Sequence, residues 1–328
     1  MLWAFVSENH KLPRRTGCRG KRGNDVYYIQ TNYVFSANPI FDDKDKESDM
    51  IKLASSTLGC PDWSFDEVMA RYREYGIEGI EIRGIDGEME ALKMERFFPE
   101  NVEKTAAAMK AHGLCFVGFG TSVCLHAKEN REELVKYISD TAEVCSRAGI
   151  PAIRVFGDEL PEADGAAREL AIARIIGNLS AICEAAEQKG VMINLEIHGT
   201  VNSIRNLAPI LEGVRHIRNF GILWDVEHSD KTTGDDFSAF YELIRPYLRH
   251  VHFKDYHRAA DAGRWVLCEI GEGDIPLAAI VKTLQKDGYD GYISLEWEKK
   301  WHPELSAPEL AFPRFVSFME KISTTDEN

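Results

Sequence analysis

From Met50 onward the chain alternates short apolar runs of strand length with longer amphipathic stretches of helix length, and this rhythm restricts its fold. The runs are IKLASS, GIEIR, LCFVGFG, AIRVF, VMINLEIH, FGILWD, HVHFKD and YISLEW. Between them lie FDEVMARYREYG, VEKTAAAMKAHG, REELVKYISDTAEVCSRAG, ARELAIARIIGNLSAICEAAEQKG and LAAIVKTLQKDGYDG, most closing on a glycine suited to a left-handed helix cap. Strands separated by helices pair in parallel through right-handed crossovers. Eight such units over about 250 residues fit a closed (β/α)8 TIM barrel of the α/β class. An open doubly wound sheet fits less well, because the first strand lacks a GxGxxG turn.

The first 49 residues differ in character. HKLPRRTGCRGKRGND is basic and glycine-rich, and NPIFDDKDKESD is a charge run without periodicity. The expected organisation is a non-domain extension over residues 1–49 and one barrel domain over residues 50–323. A net charge of −14 argues against a nucleic-acid or membrane-surface partner and leaves small-molecule substrates open. No apolar run approaches the roughly 20 residues of a membrane span, and LWAFV is too short for a secretory core. The seven cysteines are scattered, with no CxxC pair, so reduced thiols and a cytoplasmic setting are expected.

Four of the runs end on a potential metal ligand: Glu196 in VMINLEIHGT, Asp225 in FGILWDVEHS, His252 in LRHVHFKDY and Glu296 in GYISLEWE. Side chains alternate along a strand, so Asn194, Glu196 and His198 share one face, as do His250, His252 and Lys254, and Ser294, Glu296 and Glu298. Leu195, Ile197, Val251, Phe253, Leu295 and Trp297 take the other face and should pack on helices. The polar set then points inward at the C-terminal mouth, where barrel enzymes carry their chemistry. Three carboxylates and one imidazole cannot satisfy one another without a cation. An oxygen-rich set with one nitrogen suits one divalent ion, Mn2+ first, with Mg2+, Co2+ or Zn2+ as alternatives.

Other positions have two readings each. Lys254 polarises a carbonyl or binds phosphate, or else pairs with neighbouring Asp255. Arg83 and Arg154 bind a substrate hydroxyl or carboxylate, or else neutralise excess acid in the barrel. Trp63 walls a sugar ring or packs. His198 contacts substrate or orients a ligand. The GEGD segment reads as a tight turn, since no GK[ST] follows it.

The motifs SSTLGCPDW, EYGIEGIEIR, LEIHGT, WDVEH, HVHFKD, IGEGDIPL and GYDGYISLEWE occur in this order from Met50 to residue 320. Together they resemble the sugar isomerase and epimerase branch of the xylose-isomerase-like barrel superfamily, which also contains endonuclease IV. The resemblance implies a divalent metal held by Glu196, Asp225, His252 and Glu296, with the two glutamates doubling as acid and base. It also implies that His228 and Arg258 contact substrate oxygens. The endonuclease branch departs from this chain, because FVGFGTS and IRVFGDE lack its additional histidines and DAGRW stands where an Asp-x-His pair belongs.

The implied activity is isomerisation or epimerisation of a sugar or keto-sugar by proton transfer alpha to a carbonyl, through an enediolate. A lyase that expels a beta-hydroxyl is the alternative, since the superfamily includes inosose and dehydroshikimate dehydratases. A non-catalytic sugar-binding barrel is a third reading, disfavoured by retention of all four ligand types. Barrels of this family are often dimers or tetramers, which leaves a homo-oligomer open.

Overall fold

The computed structural model describes residues 51–127, 130–258 and 265–324. The extension expected over residues 1–49 lies outside the described residues. Eight parallel strands close on themselves: β1 (Lys52–Ser56), β2 (Gly79–Ile82), β3 (Cys115–Cys124), β4 (Ala152–Phe156), β5 (Met192–Glu196), β6 (Phe220–Asp225), β7 (Leu248–Phe253) and β10 (Tyr292–Leu295). Each pairs with the next in chain order, and β10 closes the ring against β1 with Lys52 opposite Tyr292. The helices between them are α1 (Phe65–Tyr75), α2 (Val102–Ala111), α3 (Arg131–Ala148), α4 (Ala166–Glu187), α5 (Ile204–Val214), α6 (Val226–Thr233), α7 (Ser238–Ile244), α8 (Leu277–Lys286) and α9 (Pro308–Thr324).

Local sequence sets the helix ends. Ser64 accepts a hydrogen bond from the Glu67 amide at the start of α1, and Gly76 ends that helix in the left-handed conformation. Asn130 and Gly149 do the same for α3. The apolar core lies between the strands and the helices, where Leu195, Ile197, Val251, Phe253, Leu295 and Trp297 are all buried. Within the barrel the layer is polar: Glu81, Arg154, Asn194, His250, His252 and Ser294 are buried there with hardly any solvent contact. On β3 a side chain at Gly120 would stand 2.8 Å from Arg154 Nη2 and 2.9 Å from Arg83 Cδ, so the missing side chain is what lets two arginines cross the interior.

One element was not anticipated. Directly after β7, β8 (Asp255–Arg258) and β9 (Trp265–Cys268) form an antiparallel hairpin outside the barrel. DYHR carries no run of apolar residues, so nothing local marks it as a strand. The hairpin brings the GEGD segment back onto Asp255. Asp255 Oδ2 accepts from the amides of Gly271 at 2.9 Å and Gly273 at 3.0 Å, and Oδ1 accepts from Ile275 at 3.3 Å and Tyr256 at 3.0 Å. The segment is the expected tight turn, wound around a carboxylate. No helix among the described residues is long and apolar enough to cross a membrane, and no cysteine among them is in a disulfide.

Asp255→Ala leaves these amides without their acceptor, and should lower stability by about 3 kcal/mol. Thermal denaturation and hydrogen exchange test this; unchanged protection across residues 271–275 would refute the clamp.

Candidate active site

Glu196 ends β5, Asp225 ends β6, His252 is the penultimate residue of β7 and Glu296 follows β10. Parallel pairing sets Asp225 beside His252, and His252 beside Ser294. The structure thus brings together all four residues read from the sequence as ligands: one ligand atom from each lies within 4.8 Å of the others. His252 Nδ1 is 3.3 Å from Glu296 Oε2 and 3.8 Å from Glu196 Oε1.

The donor set fits a divalent cation. His252 Nδ1, Glu196 Oε2 and Asp225 Oδ2 are buried without hydrogen-bond partners. Glu196 Oε2 does lie 2.9 Å from Arg154 Nε, and Asp225 Oδ2 lies 2.9 Å from Lys254 Nζ, but these are charge contacts without hydrogen-bond geometry. Buried polar atoms left in this state are costly unless something else binds them. Asp225 divides its work between fold and site. Its Oδ1 accepts from the amides of Glu227 at 2.9 Å and His228 at 3.2 Å, capping α6, and leaves Oδ2 facing the cluster.

Glu81 on β2 was missed in the sequence. Its Oε2 accepts from His252 Nε2 at 2.7 Å and from His250 Nε2 at 3.0 Å, which turns His252 Nδ1 toward the carboxylates. A carboxylate behind a ligating histidine fixes the tautomer and orients the ring. The alternation used for the other strands would have found it, since Glu81 stands between Ile80 and Ile82 in GIEIR.

Electrostatics separates the two glutamates. Burial pushes Glu196 up to about 7, aided by Glu296 and Asp225 and opposed by Arg154 and His252. Burial also works against ionisation of Glu296, but Lys254 and His252 override it and hold that carboxyl well below the usual range. Glu81 is likewise lowered, its burial outweighed by the imidazoles of His252 and His250. Lys254, buried beside Asp225, Glu296 and Glu298, has its pKa raised well above the ordinary value despite desolvation. Its Nζ lies 2.7 Å from both Glu296 Oε2 and Glu298 Oε1. Of the two readings of Lys254, the pairing with Asp255 is not found: Asp255 is occupied by backbone amides, and the ammonium lies on the inner face that strand alternation assigned to it.

The remaining sequence-predicted residues sort by contact. His198 Nδ1 lies 2.6 Å from Asp158 Oδ1, whose other oxygen accepts from Cys124 Sγ at 3.2 Å. The His198 ring stands 4.1 Å from that of His228. Burial lowers the His228 pKa, and the nearby cations Lys254, His198 and Lys231 lower it further. At His198 burial acts the same way, but Asp158 wins and raises its pKa. Arg258 reaches Asp230 Oδ1 at 2.7 Å and Asp235 Oδ1 at 2.7 Å, and its described contacts include none of the four central residues. Trp63 packs edge-to-face on Phe312 at 5.8 Å and lines a small cleft of about 20 Å³ with Thr57, Gly84 and Lys300. Arg154 neutralises Glu196 and donates to the Thr121 carbonyl at 2.9 Å.

Asp225→Asn keeps a good helix cap but removes a charged ligand. It should weaken divalent-ion binding about tenfold or more, read by calorimetric titration of Mn2+, and lower the melting temperature through the lost contact with Lys254. Equal affinity in both proteins would remove Asp225 from the ligand set.

A family model described as xylose isomerase-like TIM barrel matches residues 69–318. A 3-dehydroshikimate dehydratase of Bacillus anthracis is 24% identical over 249 residues, covering 71% of this chain and 85% of the relative. An uncharacterized protein of Methanocaldococcus jannaschii is 34% identical over 124 residues, and the match spans 36% of this chain and 41% of that protein's length. Among solved structures, a D-tagatose 3-epimerase-like protein superposes with TM-score 0.64 at 21% identity, over 85% of this chain and all (100%) of the other. The IOLI protein with a bound zinc atom superposes with TM-score 0.65 at 19% identity, over 84% of this chain and 97% of the other.

Proposed function

We propose that this chain, which belongs to the xylose isomerase-like TIM barrel family, is a metal-dependent isomerase or epimerase of a sugar or keto-sugar, with residues 50–323 as its catalytic domain. The observation that carries this reading is the convergence of Glu196, Asp225, His252 and Glu296 within 4.8 Å at the barrel mouth, with buried oxygen and nitrogen atoms left open. One divalent ion, Mn2+ by preference, would polarise a substrate carbonyl and stabilise the negative charge that builds on its oxygen as the adjacent C–H bond breaks.

Glu196 and Glu296 act as the two acid/base groups. One removes the proton alpha to the carbonyl. If the same glutamate returns it to the neighbouring carbon, the product is the aldose or ketose isomer; if the other returns it to the same carbon from the opposite side, the product is the epimer. Their environments differ before any ion binds, burial raising the pKa of Glu196 and the cations Lys254 and His252 lowering that of Glu296, and a bound cation would favour the ionised form of both. Arg154 and Lys254 fix the two carboxylates in place, and Glu81 fixes His252. On this reading His228 and His198 would bind substrate hydroxyls, with Trp63 and Arg258 as outer contacts.

A lyase is the second reading, and the Asp158–His198 pair favours it. After the same first step a beta-hydroxyl must leave with a proton, and His198, oriented through Nδ1, can give one from Nε2. The named relatives divide in the same way, between an epimerase-like protein and a dehydratase.

Incubation of the Mg2+-loaded protein with a ketose panel in D2O should show alpha-proton exchange by NMR. Glu196→Gln and Glu296→Gln should each lower its rate by about 100-fold or more, and chelation should abolish it. Absence of exchange with every ketose would reject the isomerase, and growth of enone absorbance would favour the lyase.

A further inference from the structure

We propose that Arg83 is a carboxylate-binding residue at the barrel mouth, so that the substrate is a polyhydroxylated keto acid and not a neutral sugar. This rests on the reading of the four-residue cluster as the reaction centre.

Arg83 follows β2, and its surroundings belong to three adjacent strand ends. Its amide donates to Thr57 Oγ1, just past β1, at 2.9 Å, and its Nη2 donates to Ser122 Oγ, near the end of β3, at 3.0 Å. The residue is 9% exposed, and its Nη1 is buried without a hydrogen-bond partner. No carboxylate of the described residues forms an ion pair with it. Arg154, the neighbouring arginine, shows the contrast: its charge is met by Glu196 at 2.9 Å and by the Thr121 carbonyl. Glu296, Glu196 and Glu81 act on this guanidinium through space, but none is in contact with it, so Nη1 lacks the contact counter-charge that a buried cation calls for and a ligand can supply.

The position of Arg83 decides what that partner is. Its side-chain stem and Arg154 Nη2 both lie within 3 Å of where a Gly120 side chain would begin, at 2.9 and 2.8 Å. Arg154 in turn touches Glu196, so Arg83 stands one side chain from the reaction centre, on the wall opposite β6 and β7 in the strand order. A molecule that reaches the cluster with its carbonyl can place its far end on Arg83. Beside it, Thr57 Oγ1 accepts from the amides of Arg83 at 2.9 Å and Gly84 at 3.2 Å, which fixes the backbone that carries the guanidinium. One guanidinium edge with an adjacent hydroxyl matches the two oxygens of a planar carboxylate.

A matched pair of probes isolates the charge. Quinate, a polyhydroxylated ring acid, and its neutral methyl ester are titrated calorimetrically into the Mg2+-loaded full chain. Quinate should bind about tenfold or more tightly than the ester. Arg83→Gln should reduce quinate to the affinity of the ester without altering the ester's own binding or the melting temperature, and Arg83→Lys should restore part of the difference. No advantage of acid over ester, or an advantage that survives Arg83→Gln, overturns the proposal. Deuterium exchange on neutral ketoses together with equal binding of acid and ester would overturn the carboxylate site alone. Acid discrimination lost in Arg83→Gln, with no exchange on any ketose or keto acid, would support the site and reject the reaction.

Discussion

Ionised groups inside a barrel must be met by opposite charge, and the arrangement of this mouth follows from that requirement. Strand alternation sends carboxylates, imidazoles, arginines and a lysine inward, and they settle into chains: Glu81 with His250 and His252, Arg154 with Glu196, Lys254 with Asp225, Glu296 and Glu298. Each pair holds a side chain to one orientation. The geometry of the cluster is a by-product of neutralisation, which explains why so polar an interior remains compatible with a packed apolar layer outside it.

Several residues also belong to the fold and the site at once. Asp225 starts α6 with one oxygen and faces the cluster with the other. Lys254 and Asp255 are adjacent in sequence yet serve different structures, one binding the strand-end acids and the other winding the loop before α8. The precision of the site thus comes from backbone features, a helix start and a clamped turn, and not from long flexible side chains.

The eight strands and the four converging ligands were legible because both depend on local periodicity: alternation of period two, and a polar residue where an apolar run stops. Glu81 obeyed the same rule but sits in the middle of a short run, inside the EYGIEGIEIR motif, where it does not end the strand as the other acids do. Its partners lie 169 and 171 residues away, a pairing that only barrel closure creates. The β8–β9 hairpin escaped because its pairing, and not its composition, makes it a strand. The partners of Lys254 escaped for a related reason: alternation set its side chain inward, but sequence adjacency offered Asp255, whereas four backbone amides had already claimed that carboxylate.

The ammonium of Lys254 carries one more consequence. Because it lies against Asp225, Glu296 and Glu298, the acids at the mouth have a built-in counter-charge before any ion arrives. The acids thus carry an internal counter-ion within the fold itself, in contrast to domains that collapse only around a metal. A cation bound by these acids, as proposed above, would have to compete with this internal tether for the same oxygens.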